Sequence, residues 1–83
     1  MSTSFSPYIV RTDRDHLSFF YDDRSRNLDP IRAILESKLV QKLQESIERK
    51  AYIVLGGDGT FIDIAKLAHR DDVSILGINF GTK

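Results

Sequence analysis

The run Leu55-Gly56-Gly57-Asp58-Gly59-Thr60 sets one carboxylate among three glycines, between an apolar stretch and a helical pattern. Gly56, Gly57 and Gly59 permit backbone with φ > 0 and lack the Cβ atoms that would block a ligand. Successive amides in such a turn, leading into a helix, form a cradle for an anion. Asp58 repels phosphate there unless it acts on the ligand, by binding a divalent cation, orienting a hydroxyl, or accepting that hydroxyl's proton. The combination points to phosphoryl transfer. A tight turn with Asp58 capping the next helix accounts for the same residues without any chemistry. The run is not the Lys-containing P-loop, since no Gly-Lys-Ser/Thr follows, nor the dinucleotide fingerprint G-x-G-x-x-G.

The elements that must position this turn can be read on either side of it. Leu17 to Tyr21 is a β-favouring run and predicts a strand. Asp22 to Leu28 is charged and reads as loop. Asp29-Pro30 opens a helix, with Asp29 as cap and proline at the first position. Ile31, Ile34, Leu35, Leu39, Leu43 and Ile47 continue it at helical spacing. That makes one helix of about 20 residues, about 30 Å long, with Arg49 and Lys50 at its negative end.

Ala51 to Leu55 is continuously apolar, as in a parallel strand covered on both faces. Phe61, Ile64, Ala65 and Ala68 give a second helix, broken at Asp71-Asp72, and Val73 to Ile78 a third strand. Strand, helix, strand, helix, strand implies an α/β fold with a parallel sheet in three layers and right-handed crossovers. Ligands bind beyond the carboxyl ends of such strands. Both glycine-bearing loops lie there, Gly56 to Thr60 and Asn79 to Gly81.

The bulk composition narrows the function classes. Eighty-three residues allow one small domain, which buries only roughly 60–65% of its unfolded surface. A net charge of zero gives no footprint for nucleic acid or an acidic membrane. Cysteine is absent, which excludes disulfides and thiolate metal sites and is compatible with a reducing cytosol. No apolar stretch approaches the roughly 20 residues that span a bilayer, and Met1-Ser2-Thr3-Ser4 opens no secretory signal. His16 and His69 have no metal-ligand spacing and read as surface residues. Asp13, Asp15, Asp22 and Asp23 match no calcium loop and read as solvated charge. No metal site built by the protein is expected.

Gly56-Gly57-Asp58-Gly59-Thr60-Phe61, followed by Ile75-Leu76-Gly77-Ile78-Asn79-Phe80-Gly81-Thr82-Lys83, resembles the NAD kinase family. Diacylglycerol kinases, sphingosine kinases and phosphofructokinases carry similar turns, but the Leu-Gly-Ile-Asn phrase matches NAD kinases best. The resemblance covers residues 51–83 closely and 17–50 in element order. It implies a Rossmann-like N-terminal domain and transfer of phosphate from ATP or polyphosphate to the 2′-hydroxyl of the adenosine ribose of NAD, making NADP. A divalent cation, Mg²⁺, accompanies the donor. Asp58 maps onto the base and, with Gly59, onto NAD contacts. Gly56, Gly57 and Thr60 map onto the phosphate region, and Asn79 and Phe80 onto the loop beside the dinucleotide.

Several relatives carry a basic residue just after the signature, where this chain has Asp63. The family also has a β-rich second domain with an Asn-Glu/Asp motif that grips NAD, beyond position 83. Residues 1–15 are polar and mixed, with only Tyr8-Ile9-Val10 resembling a short strand, and are expected to be a tail or edge extension. The resemblance makes residues 16–83 a partial N-terminal α/β nucleotide-binding domain, inactive alone. A sheet that stops there has an uncovered edge. The resemblance implies a cytoplasmic parent, homo-oligomeric, with nucleotides as its partners. A lipid kinase fragment, or a non-catalytic half-domain that binds nucleotide or pairs through its free edge, would share the same turn.

Overall fold

A computed structural model describes residues 7–24 and 28–78. Asn79 and Phe80 lie outside the described residues. Strands β1 (Ile9–Arg14), β2 (Leu17–Asp22), β3 (Ala51–Leu55) and β4 (Ser74–Ile78) form one sheet in the order β1-β2-β3-β4. Helices α1 (Asp29–Leu35) and α2 (Lys38–Ser46) link β2 to β3, and α3 (Asp58–Asp71) links β3 to β4. β2, β3 and β4 run parallel. β1 runs antiparallel against β2, joined to it by the two residues between Arg14 and Leu17. Asp15, at φ 57°, makes that turn.

β3 is buried along its whole length, and β2 from Leu17 to Phe20, because helices cover both faces. Leu17, Phe19, Ala51, Ile53 and Leu55 meet Ile31 of α1 and Val40 of α2 on one face. Phe20, Tyr52 and Val54 meet Ile64, Leu67 and Ala68 of α3 on the other. Period-two alternation assigns each strand residue to its layer. The continuous apolar runs of the sequence thus serve two cores at once.

Several expectations change. The long helix is two short ones. Ser37 is extended, at φ −95° and ψ 171°. Its hydroxyl donates to the Ile34 carbonyl at 2.8 Å and accepts from the Leu39 amide at 3.1 Å. One serine closes α1 and caps α2. A straight helix of about 30 Å would overshoot strands of about 17–20 Å, and the break folds it back over them. The cap of α1 is Leu28, so Asp29 is a first-turn acid instead. Arg49 and Lys50 lie beyond the end of α2, exposed on the link to β3. His16 is not a surface residue: it is half-buried, and its Nε2 meets the Ile47 carbonyl at the exit of α2.

The hand of one crossover also differs. β2, β3 and β4 step the same way across the sheet, yet α1–α2 and α3 cover opposite faces. Two parallel crossovers that step together but pass over opposite faces have opposite hands. One of them is therefore left-handed, against the strong preference for right-handed connections. Only Gly56 and Gly57 separate β3 from α3, and Gly56 sits at φ +146°. That conformation is open to glycine and strained for other residues. It turns the chain off β3 and straight into α3.

Gly56→Ala is expected to destabilise the fold by about 1–3 kcal/mol in urea unfolding. The cause is φ alone, because a Cβ there would meet nothing within 4 Å.

Candidate active site

The glycine run divides into residues with separate structural roles. Gly56 makes the turn, and its amide donates to the Ile78 carbonyl at 3.0 Å, tying the carboxyl ends of β3 and β4 together. Gly57 is the N-cap of α3, extended at φ −97° and ψ −174°. Asp58, Gly59 and Thr60 form the first turn of the helix. The cap falls on a residue without a side chain, so Asp58 does not hold the capping position that a plain turn would give it. The first intrahelical bond runs from the Phe61 amide to the Gly57 carbonyl at 3.1 Å. A helix leaves the amides of its first turn without intrahelical acceptors, here those of Asp58, Gly59 and Thr60.

Among the glycines of the run, positive φ belongs to Gly56 alone. Gly57 and Gly59 are exposed, and a Cβ on either would meet nothing within 4 Å. Neither backbone strain nor packing calls for glycine at these two positions, although glycine also suits the cap position of Gly57. Glycine inside a helix costs about 0.5–1 kcal/mol relative to alanine. What the missing side chains provide is bare main chain facing solvent.

That main chain lines an open cleft of about 450 Å³. Gly57, Gly59, Thr60, Ile62 and Asp63 come from α3 and its cap, Asp22 and Arg24 from the end of β2, and Ile9 from the start of β1. All belong to the carboxyl-terminal end of the parallel strands, where ligands of open sheets bind. Ile62 is 53% exposed and gives the cleft an apolar wall. Arg24 donates from Nε to Asp22 Oδ1 at 3.1 Å and from Nη2 to Asp22 Oδ2 at 2.8 Å. The pairing holds the Asp22 carboxyl below its ordinary range and raises the guanidinium. Among the described residues no group of three or more His, Cys, Asp or Glu could hold a metal ion.

The first turn of α3 is seated on the sheet by one close approach. A Cβ on Gly77 of β4 would lie 2.7 Å from Cδ1 and 2.9 Å from Cε1 of Phe61. The ring occupies the space that a side chain at 77 would fill. It thereby sets how closely the start of α3 approaches β4. At its other end α3 is tied down by the buried Tyr52, whose hydroxyl donates to Asp71 Oδ2 at 2.6 Å.

The sequence profile of the ATP-NAD kinase N-terminal domain matches residues 10–83. The chain belongs to the NAD kinase family. It is 34% identical to an NAD kinase of Lawsonia intracellularis over 76 residues, covering 92% of this chain and 26% of that protein. It is 36% identical to one of Syntrophotalea carbinolica over 86 residues, covering 92% and 28%. Against an NAD kinase of Corynebacterium jeikeium it is 66% identical over 29 residues, 35% of this chain and 9% of the other. The chain spans about a quarter of the length of the curated relatives that align along it. No solved structure matches it. The profile and these relatives are NAD kinases, so a lipid kinase is not favoured.

The structure of this NAD kinase family chain brings Gly57, Gly59 and Thr60 to one cleft and leaves Gly56 as its hinge. Asp58 stands between them in the chain. Asn79 and Phe80 lie outside the described residues. Sequence reasoning missed Ile9, Asp22 and Arg24. The signal for two of them was present: Asp22-Asp23-Arg24 ends and leaves the first parallel strand, at the same end of the sheet as the glycine loop after β3.

Gly77→Ala is expected to cost about 1–3 kcal/mol by overpacking. In a Phe61→Leu background that cost should largely vanish, giving a coupling energy in a double-mutant cycle of chemical unfolding.

Proposed function

We propose that this chain supplies the phosphate-handling part of an NAD kinase, which transfers phosphate from ATP or polyphosphate to the 2′-hydroxyl of the adenosine ribose of NAD. The observation that carries the proposal is Gly59, inside the first turn of α3, which with the cap residue Gly57 bares the main chain at the cleft and itself has no backbone or packing reason to be glycine. Family membership supports the substrate pair.

On this proposal the first-turn amides of α3 hold phosphate oxygens, aided by the positive end of the helix dipole. Asp58 accepts or orients the proton of the 2′-hydroxyl. The hydroxyl oxygen forms a bond to the transferred phosphorus as the bond from that phosphorus to the donor breaks. The barrier falls chiefly by positioning and charge stabilisation. Asn79 and Phe80 belong to the dinucleotide side of the same site. A divalent cation would arrive on the phosphate chain, a role that Mg²⁺ fills with one or two carboxylates and several waters. Asp22 and Asp63 are the described carboxylates that line the cleft and could meet it there. The cation supplies charge neutralisation of the donor. Among the described residues no helix is long and apolar enough to cross a membrane. A cytoplasmic, homo-oligomeric parent is part of the same proposal, on the family resemblance.

Two substitutions in the intact protein carrying these residues test it, assayed with NAD and ATP. Asp58→Asn should lower kcat by about 10²–10⁴-fold while KM for NAD stays within about threefold. A near-normal kcat sinks the base role. Gly59→Ala should raise stability by about 0.5–1 kcal/mol and yet weaken ATP or NAD use. Gain of stability with unchanged kinetics returns this segment to a plain turn.

A further inference from the structure

Arg24 is the one cationic side chain among the described residues that line the cleft, and it is held by several contacts. Its Nε and Nη2 engage both oxygens of Asp22, whose Oδ1 also accepts from the Arg24 amide at 2.8 Å. Its guanidinium carbon lies 4.4 Å from the centre of the Tyr8 ring. A carboxylate, its own backbone and an aromatic face thus restrain one side chain that is still 59% exposed.

For stability an ion pair to so exposed an arginine contributes little. For binding it matters more, because the ordering of a long side chain has already been met before a ligand arrives. A guanidinium has five N–H donors, and the fork to Asp22 occupies one on Nε and one on Nη2. The remaining donors, both on Nη1 among them, form a second edge suited to phosphate oxygen.

The cleft is not uniformly positive. Asp22 and Asp63 line it with Arg24. A bare diphosphate would be repelled by those carboxylates, whereas a polyphosphate carrying a divalent cation tolerates them. We infer that Arg24 is a binding residue for the phosphoryl donor, a metal-bearing triphosphate or polyphosphate chain, with Asp22 and Tyr8 as its positioning residues. The inference rests on the kinase proposal for the identity of the donor, and its test separates the two.

The intact protein is compared as wild type, Arg24→Lys, Arg24→Gln and Asp22→Asn. KM is measured for ATP and for NAD, and inorganic tripolyphosphate with Mg²⁺ is titrated by calorimetry. Arg24→Gln should raise KM for ATP and weaken tripolyphosphate about tenfold or more, with KM for NAD within about twofold. Arg24→Lys keeps the charge but loses the fork, and should fall between. Asp22→Asn should raise KM for ATP less than Arg24→Gln does, because the guanidinium persists without its restraint. A purely structural ion pair predicts equal losses of thermal stability in Arg24→Gln and Asp22→Asn with neither KM moved, and that result overturns the inference. A change confined to KM for NAD overturns it as well. If wild type does not phosphorylate NAD, the kinase proposal fails, and tripolyphosphate affinity still decides Arg24: loss in Arg24→Gln upholds the role, and unchanged affinity refutes it.

Discussion

Everything at the mouth of this sheet depends on how the chain leaves β3. Gly56, at φ +146°, turns the backbone off the strand, and two residues later α3 has begun. The Gly56 amide meanwhile bonds to the Ile78 carbonyl, so the turn also joins the ends of β3 and β4. A residue with a Cβ would resist that conformation. With a longer, looser connection the first turn of α3 would not stand at the end of β3, and its free amides would not open on the same cleft as Asp22 and Arg24.

The turn directs the second of two hydrophobic layers. α1 and α2 cover Leu17, Phe19, Ala51, Ile53 and Leu55, while α3 covers Phe20, Tyr52 and Val54. β3 is sealed on both faces, which suits a strand whose end must hold a site in register. Phe61 lies in the gap left by Gly77 and sets how closely α3 approaches the sheet. Core packing and site geometry are here one structure: the ring that packs against the second core is three residues from Asp58. The family profile spans both the turn and the strands that it joins, residues 10–83.

Much of this was legible in the sequence, for physical reasons that differ by element. β3 could be read because five apolar residues in a row have few other destinations. α3 could be read because Phe61, Ile64 and Ala68 repeat at helical spacing. The break at Ser37 could not, since serine inside a helical pattern is tolerated and its double hydrogen bond is visible only in three dimensions. β1 was legible only as a tail or edge extension because of its charges: Arg11, Asp13 and Arg14 suit an edge strand, where polar side chains discourage unwanted pairing. The left-handed crossover was invisible because a helix pattern does not say which face it will cover. The glycine run marked one wall of the cleft, but Arg24, brought in from 32 positions before Gly56, joins it only through the sheet.

The central claim is that the bare main chain at the start of α3 faces a phosphate-bearing ligand. Amide resonances of Gly57, Gly59 and Thr60 in the ¹⁵N-labelled intact protein, followed during titration with ATP and Mg²⁺ and then NAD, test it directly. The account predicts saturable shifts concentrated on these amides, with Gly56 little changed because its amide is already bonded within the protein. Silent amides at 57, 59 and 60, with ligand-induced shifts elsewhere, would contradict it.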